Sequence, residues 1–288
     1  SEPDVDRSAT LIPSEIFPFP LDQFQLEAMD ALNQGHSVVV SAPTGSGKTL
    51  IGEYAIHRAL AHGQKVFYTT PLKALSNQKL RDFRDQFGAE NVGLMTGDLS
   101  VNREASIVVM TTEIFRNMLY AEADAHDDPL ADVEAVVLDE CHYMNDSQRG
   151  TVWEESIIHS PPTVQLVALS ATVANAGQLT DWIEKVHGPT TLVMSDHRPV
   201  PLQFSFCSAK GLHPLLNDAG TGVHPNCKVW RAPKGHKRKG RSQRPPQPEP
   251  PPITFVVAQM AERQMLPAIY FIFSRRGCDK AVRDLGVQ

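Results

Sequence analysis

One stretch leaves few folds open to this chain: Val38-Val39-Val40-Ser41-Ala42-Pro43-Thr44-Gly45-Ser46-Gly47-Lys48-Thr49, an apolar β-branched run that breaks into a glycine-rich loop and continues as a helix. The run has the composition of a buried strand. Gly45 and Gly47 tolerate the positive φ angles that turn successive backbone N–H groups inward, and a helix opening at Lys48 aims its N-terminal dipole at the same concavity. A concavity of that kind takes polyphosphate. Pro43, Thr44, Gly45, Ser46 and Gly47 would wrap it, Lys48 would neutralise the β and γ phosphates as a point charge, and the Thr49 hydroxyl would face a bridging Mg2+. The strict form of such a loop, G-x-x-x-x-G-K-[ST], opens on glycine. Here Ala42 stands in that place, a mild departure because the cradle is made mainly by the residues nearer Lys48.

A second apolar run, Ala135-Val136-Val137-Leu138, ends in Asp139-Glu140-Cys141-His142. Neighbouring residues of a strand face opposite sides of the pleat, so two adjacent carboxylates are expected to do different work. Asp139 suits Mg2+, directly or through water, and Glu140 suits orienting and deprotonating an attacking water. His142 is placed to relay to a domain closing over the γ phosphate.

Elsewhere the hydrophobic period predicts helices over 22–33, 50–62, 72–87, 112–121, 150–160 and 178–186, with strands over 65–70, 92–95, 107–110, 133–138 and 164–170. Repeated βα units with continuous apolar strands mean an α/β fold. Its parallel sheet is covered by helices on both faces, and its ligands lie beyond the carboxyl ends of the strands. Asp22 and Gln25 have the spacing of a capping box, and the Gln25 carboxamide is open to a second use, reading an adenine edge.

Composition bounds the rest. With 288 residues, 41% of them hydrophobic, the chain can bury the core of one large or two modest domains. No run approaches the roughly 18 apolar residues of a membrane span, and the acidic start Ser1-Glu2-Pro3-Asp4 lacks a signal-peptide core. A cytoplasmic protein with no membrane partner is therefore expected. Cys141, Cys207, Cys227 and Cys278 form no C-x-x-C pair, which suggests reduced thiols rather than zinc or disulfides. The net charge of −6 conceals a segregation, with acids gathered over 122–134 and eight Lys and Arg without one carboxylate over 228–244, followed by a proline-rich run to Pro252. Such a basic segment is expected to be a disordered linker or insertion leading into a stiff polyproline stretch.

Together these motifs resemble those of superfamily-2 DExH-box helicases. Residues 42–49, Asp139-Glu140-Cys141-His142 and Ser170-Ala171-Thr172 are similar to motifs I, II and III. Phe19 and Gln25 resemble the Q-motif pair that contacts adenine. Pro71-Leu72-Lys73-Ala74-Leu75-Ser76-Asn77-Gln78-Lys79 resembles motif Ia, and Thr96-Gly97-Asp98 and Thr111-Thr112-Glu113-Ile114 resemble the two motifs after it. Gln148-Arg149-Gly150 ahead of Trp153-Glu154-Glu155 is similar to the superkiller-type RNA helicases, in wording nearest a cyanobacterial-type member. Ile269-Tyr270-Phe271-Ile272-Phe273-Ser274-Arg275-Arg276-Gly277 resembles motif IV, with a strand over 268–273 that lacks a sheet of its own, so its edges are expected to be unpaired and the strand to be mobile or to borrow contacts elsewhere.

The resemblance implies an N-terminal extension over 1–16, a RecA-like ATP-binding P-loop domain over 17–207, the basic linker or insertion over 208–252, and the start of a truncated second RecA-like domain over 253–288. It implies an ATP-dependent RNA helicase using ATP and Mg2+, with Phe19 and Gln25 on the adenine. Lys73, Ser76, Asn77, Thr96, Gly97, Thr111, Thr112 and Arg116 would hold single-stranded RNA by its backbone, with little sequence preference. Ser170 and Thr172 would couple the Asp139 box to that strand, and accessory proteins of RNA decay or processing would be partners. A chain ending at Gln288 is then expected to hydrolyse ATP very slowly and not to unwind RNA alone. Two other readings stay open: a non-catalytic RNA-binding module working through the basic stretch, and a DNA-directed helicase, since backbone contacts do not report the 2′-OH.

Overall fold

A computed structural model describes residues 10–121, 130–145, 150–227 and 250–286. The acidic residues 122–129, Gln148, Arg149 and the basic stretch 228–244 lie outside the described residues.

After a single turn, α1 (Pro13–Ile16), the chain enters α2 (Gln23–Asn33) and then alternates: β1 (Ser37–Ser41), α3 (Thr49–Ala61), β2 (Lys65–Thr70), α4 (Lys73–Phe87), β3 (Val92–Met95), β4 (Ser100–Val101), β5 (Ile107–Thr111) and α5 (Thr112–Ala121). It continues through β6 (Val133–Leu138), α6 (Gly150–His159), β7 (Gln165–Ser170), α7 (Ala176–Val186) and β8 (Thr190–Met194). The eight strands lie in the order β4-β3-β5-β2-β6-β7-β1-β8, parallel throughout except for the two-residue β4.

Both faces of the sheet are buried, so strand residues of either parity are apolar. On β1, Val38 and Val40 face one layer and Val39 the other, and none of the three is exposed. The first layer packs Met29 and Leu32 of α2, Tyr54 and Ile56 of α3 and Phe83 of α4 over Val38, Tyr68 and Val137. The second packs Phe115 of α5, Trp153 and Ile157 of α6 and Ile183 of α7 over Val39, Phe67, Val136 and Leu138. At the amino ends of the strands Glu134 meets His62 Nδ1 (2.7 Å) and the Arg58 guanidinium (3.4 Å), and Arg58 also donates to Gln165 Oε1 (2.8 Å). That polar network moors the far end of α3 to β6 and β7.

The chain divides into two compact units, Ser1–Val200 and Pro201–Gln288. In the second, β9 (Ser205–Ser208) and β10 (Gly211–Pro214) form an antiparallel hairpin, followed by α8 (Ile253–Glu262) and α9 (Arg275–Asp284). Gln259 of α8 accepts from Leu212 N–H of β10 through its Oε1 (3.4 Å), and Ser274 caps α9 by accepting from Gly277 N–H (3.1 Å).

The strand expected over 268–273 does not form. These residues are irregular, with Ile269, Phe271 and Phe273 at least 81% exposed. A strand exists only where a neighbour satisfies its backbone groups, and none of the described residues pairs with this segment.

Candidate functional site

The glycine-rich loop leaves β1 with Gly45 at φ +82° and Gly47 at φ +90°, the left-handed conformation its sequence predicts. A Cβ on Gly45 would meet nothing within 4 Å, so the loop opens onto unfilled space. Lys48 folds back across it, donating to the carbonyls of Ala42 (2.7 Å) and Pro43 (2.9 Å). Burial lowers the Lys48 ammonium from its usual pKa of 10.5, while the carboxylates of Glu140 and then Asp139 pull it back up and Arg198 adds to the lowering. Lys48, Asp139 and Glu140 therefore share one electrostatic neighbourhood, although about ninety residues of chain separate them. Ser46 is buried, and its hydroxyl has no partner among the described residues.

Gln25 does two things at once. Its Oε1 accepts from Asp22 N–H at the start of α2 (2.8 Å), as a capping residue should, and its Nε2 donates to Gly47 O (3.1 Å). Phe19 is half exposed and tilted against Phe17, with ring centroids 5.9 Å apart.

At the end of β6 the pleat does not continue through the carboxylate pair. β6 stops at Leu138, and Glu140 takes φ +55°, turning the chain into a 3₁₀ turn at Cys141–Asn145. Opposite faces of a strand are thus not what separates Asp139 from Glu140: a left-handed turn follows Asp139, and both carboxylates raise the Lys48 pKa. Asp139 is buried, its Oδ2 accepting from Tyr68 Oη (2.8 Å) and its Oδ1 from Glu140 N–H (2.9 Å). Burial and the Asp139 carboxylate raise the Tyr68 phenol well above 10, so it stays a donor. Burial likewise pushes the Cys141 thiol up to about 12.

His142 bridges two elements. Its Nδ1 accepts from Ala171 N–H (3.2 Å), which leaves the proton on Nε2, 3.4 Å from Glu140 Oε2. Ser170, buried, donates to Ala171 O (2.8 Å), and Thr172 is exposed. Ser41, at the end of β1, braces the same turn by accepting from Val173 N–H (3.3 Å).

Thr49 and Asp139 offer hard oxygen donors, the kind Mg2+ takes from protein when substrate phosphates and water supply the rest of its shell. Among the described residues no group of three His, Cys, Asp or Glu could hold a metal by itself. Two such donors would suit a cation that also binds the phosphates of a nucleotide.

A family model described as DEAD/DEAH box helicase matches residues 22–179, more than half of the chain. The chain belongs to that family. Relatives include the chloroplastic DExH-box ATP-dependent RNA helicase DExH15 of Arabidopsis thaliana, 44% identical over 93% of this chain and 26% of the relative. The probable helicase HelY of Mycobacterium tuberculosis is 46% identical over 92% of this chain and 30% of its own length. The exosome RNA helicase MTR4 of Homo sapiens is 42% identical over 91% and 25%. The chain thus spans only 25–30% of the length of these relatives. Among solved structures, the DUF1998 helicase MrfA bound to DNA matches with a TM-score of 0.52 and 22% identity over 66% of this chain and 29% of that one, a likeness of fold.

The carboxyl edge of this DEAD/DEAH box helicase sheet is divided. The loop, the Asp139 box and Ser170-Ala171-Thr172 follow β1, β6 and β7, whereas the residues expected to hold a strand follow β2, β3 and β5. On that second half Lys73 is ion-paired with Asp98, and Thr96 Oγ1 lies 3.4 Å from Asp98 Oδ1. Gly97 is exposed, and Asn77 and Thr111 are partly so. Arg116 reaches Glu155 Oε2 (3.5 Å) and Asn117 Oδ1 (3.1 Å). The hydroxyls of Ser76 and Thr112 are buried and bonded within the fold, the first to Thr70 Oγ1 (2.7 Å), the second to Thr70 O (3.2 Å).

Sequence patterns alone pass over Tyr68, Ser41 and Arg198. Only Tyr68 left a trace, a polar-tipped aromatic next to Val66 and Phe67 in the buried part of β2.

Proposed function

We propose that this chain is the ATP-binding half of an ATP-dependent RNA helicase. The observation that carries the proposal is a loop whose glycines take left-handed backbone and whose Lys48 lies within the electrostatic influence of Glu140 and Asp139. The names of the relatives, RNA helicases in Arabidopsis and in Homo sapiens, favour RNA as the strand.

On this reading Pro43, Thr44, Gly45, Ser46 and Gly47 cradle the phosphates, and Lys48 exchanges its bonds to Ala42 O and Pro43 O for phosphate oxygens. Phe19 and Gln25 serve the adenine, Gln25 also bracing the loop through Gly47. Mg2+, held by Thr49 and Asp139, would supply charge neutralisation at the phosphates. Glu140 accepts a proton from the attacking water, and His142, with Nε2–H toward Glu140, orients that carboxylate. Because His142 Nδ1 also holds Ala171 N–H, Ser170 and Thr172 sense the state of the carboxylates.

Single-stranded RNA would cross the other half of the edge, by its phosphates. Lys73, Asn77, Thr96, Gly97, Thr111 and Arg116 present side chains or backbone there; Ser76 and Thr112, with buried hydroxyls, would contribute through the N-terminal turns of α4 and α5. The human relative is named for the exosome, and accessory proteins of RNA decay are the partner class we propose.

RNA-stimulated phosphate release by the whole protein tests the reading. Glu140→Gln should abolish the stimulation while nucleotide binding survives; phosphate release equal to wild type would leave a non-catalytic RNA-binding module instead.

A further inference from the structure

We propose that Tyr68 is a positioning residue for Asp139, its hydroxyl fixing the carboxylate that the function above assigns to Mg2+; the inference rests on that assignment.

The placement follows from strand register. Tyr68 of β2 lies opposite Val137 of β6, and both side chains belong to the first core layer. Two residues on, just past the end of β6, Asp139 is still tied to β2, its N–H donating to Thr69 O at 3.0 Å. Asp139 is thus a diagonal neighbour of Tyr68 across paired parallel strands, a gap the long aromatic side chain spans. The phenol closes that span with a 2.8 Å bond to Oδ2, and the Glu140 N–H holds Oδ1 at 2.9 Å. One anchor on each oxygen fixes the plane of the carboxylate and leaves a lone pair on each for other ligands.

The ring itself cannot shift. Tyr68 is wholly buried, Phe83 meets it edge-on with centroids 4.9 Å apart, and Lys79 Nζ stands 5.4 Å from its centroid. On the α3 side a Cβ at Gly52 would come within 3.0 Å of Cε2, so the helix lies directly against the ring. Phenylalanine would fill this space equally well. The hydroxyl is what packing does not require, and a buried hydroxyl is tolerated only with a partner. Groups that hold a metal-binding side chain in place commonly set metal affinity without touching the metal.

The test is equilibrium binding of a fluorescent ATP analogue to the whole protein as Mg2+ is titrated, repeated with Mn2+ by electron paramagnetic resonance. Tyr68→Phe should need about tenfold more of either metal to reach half-saturation, with affinity for metal-free nucleotide retained. An unchanged metal midpoint overturns the proposal, and so does an equal loss of metal-free affinity, which would mark a packing effect. Asp139→Asn separates the two levels. If it loses the metal dependence while Tyr68→Phe keeps it, Tyr68 alone is excluded; if it titrates like wild type, the metal role of Asp139 fails.

Discussion

Gln25 is bonded to Gly47: its Nε2 donates to the loop carbonyl at 3.1 Å, tying the helix before β1 to the loop after it. The same Nε2 would lie 2.6 Å from a Cβ on residue 47, where φ is +90°. Gly47→Ala therefore meets two penalties, a left-handed backbone costing about 1–2 kcal/mol and a clash that displaces Gln25. Nucleotide affinity should fall more than thermal stability does. Paired fluorescence titration and melting curves check this, and an alanine variant that binds like wild type would show that the loop closes by another route.

Gly52 is a different case, since its backbone is ordinary helix. A Cβ there would come to 3.0 Å from the Tyr68 ring and 3.3 Å from Val137 Cγ1. Gly52→Ala should overpack this contact and destabilise the fold by about 1–3 kcal/mol, against the usual gain of helix propensity. Urea unfolding of the two proteins measures it; a more stable variant would mean that α3 has room to move.

Lys73 is held by the exposed carboxylate of Asp98, which Lys73 in turn keeps below its usual pKa. A phosphate competing for Lys73 must displace that carboxylate. Asp98→Asn should tighten RNA binding at low salt and steepen the dependence of log affinity on log salt by about one unit, the signature of one more phosphate contact. An unchanged slope would place Lys73 outside the RNA track.

His57 lies edge-on between Phe17 and Phe87, with centroids 5.9 and 5.1 Å away. Burial lowers its pKa from the usual 6.5. Between 6.5 and the lowered folded value the unfolded chain binds more protons than the folded one, so stability is whole above 6.5 and declines as pH falls through the folded pKa. Denaturation midpoints from neutral pH downward should trace that decline. His57→Phe, which cannot take a proton, should flatten it, and an equally steep decline in the variant would assign the acid sensitivity to other groups.

What was legible in the sequence was whatever repeats along it. β2 and β6 run over Lys65–Thr70 and Val133–Leu138, as their apolar centres Val66-Phe67-Tyr68 and Ala135-Val136-Val137-Leu138 predict, because a strand buried on both faces needs only such a centre and polar residues toward its ends. Gln25 was legible as a cap, being three residues from Asp22. Its bond to Gly47 was not, since nothing within α2 encodes a partner 22 residues away. The turn at Glu140 was hidden for a related reason: left-handed backbone is usually announced by glycine, and here a glutamate adopts it. Tyr68 and Asp139 stand 71 residues apart and meet only because β2 and β6 are neighbours. The segment 268–273 misled in the opposite sense, because strand composition makes a strand only beside another.

The order of strands also governs when the fold can be completed. β1 lies between β7 and β8, so the Ser37 hydroxyl accepts from Leu166 N–H, 129 positions later. On the ribosome the glycine loop emerges before β7 and β8 and has no flanking strands until residues near Met194 of β8 have followed. Contacts so remote in sequence form slowly. Until then Val38, Val39 and Val40 are a sticky stretch without a home, and a chaperone that covers this run while the later strands are made would guard it through that interval.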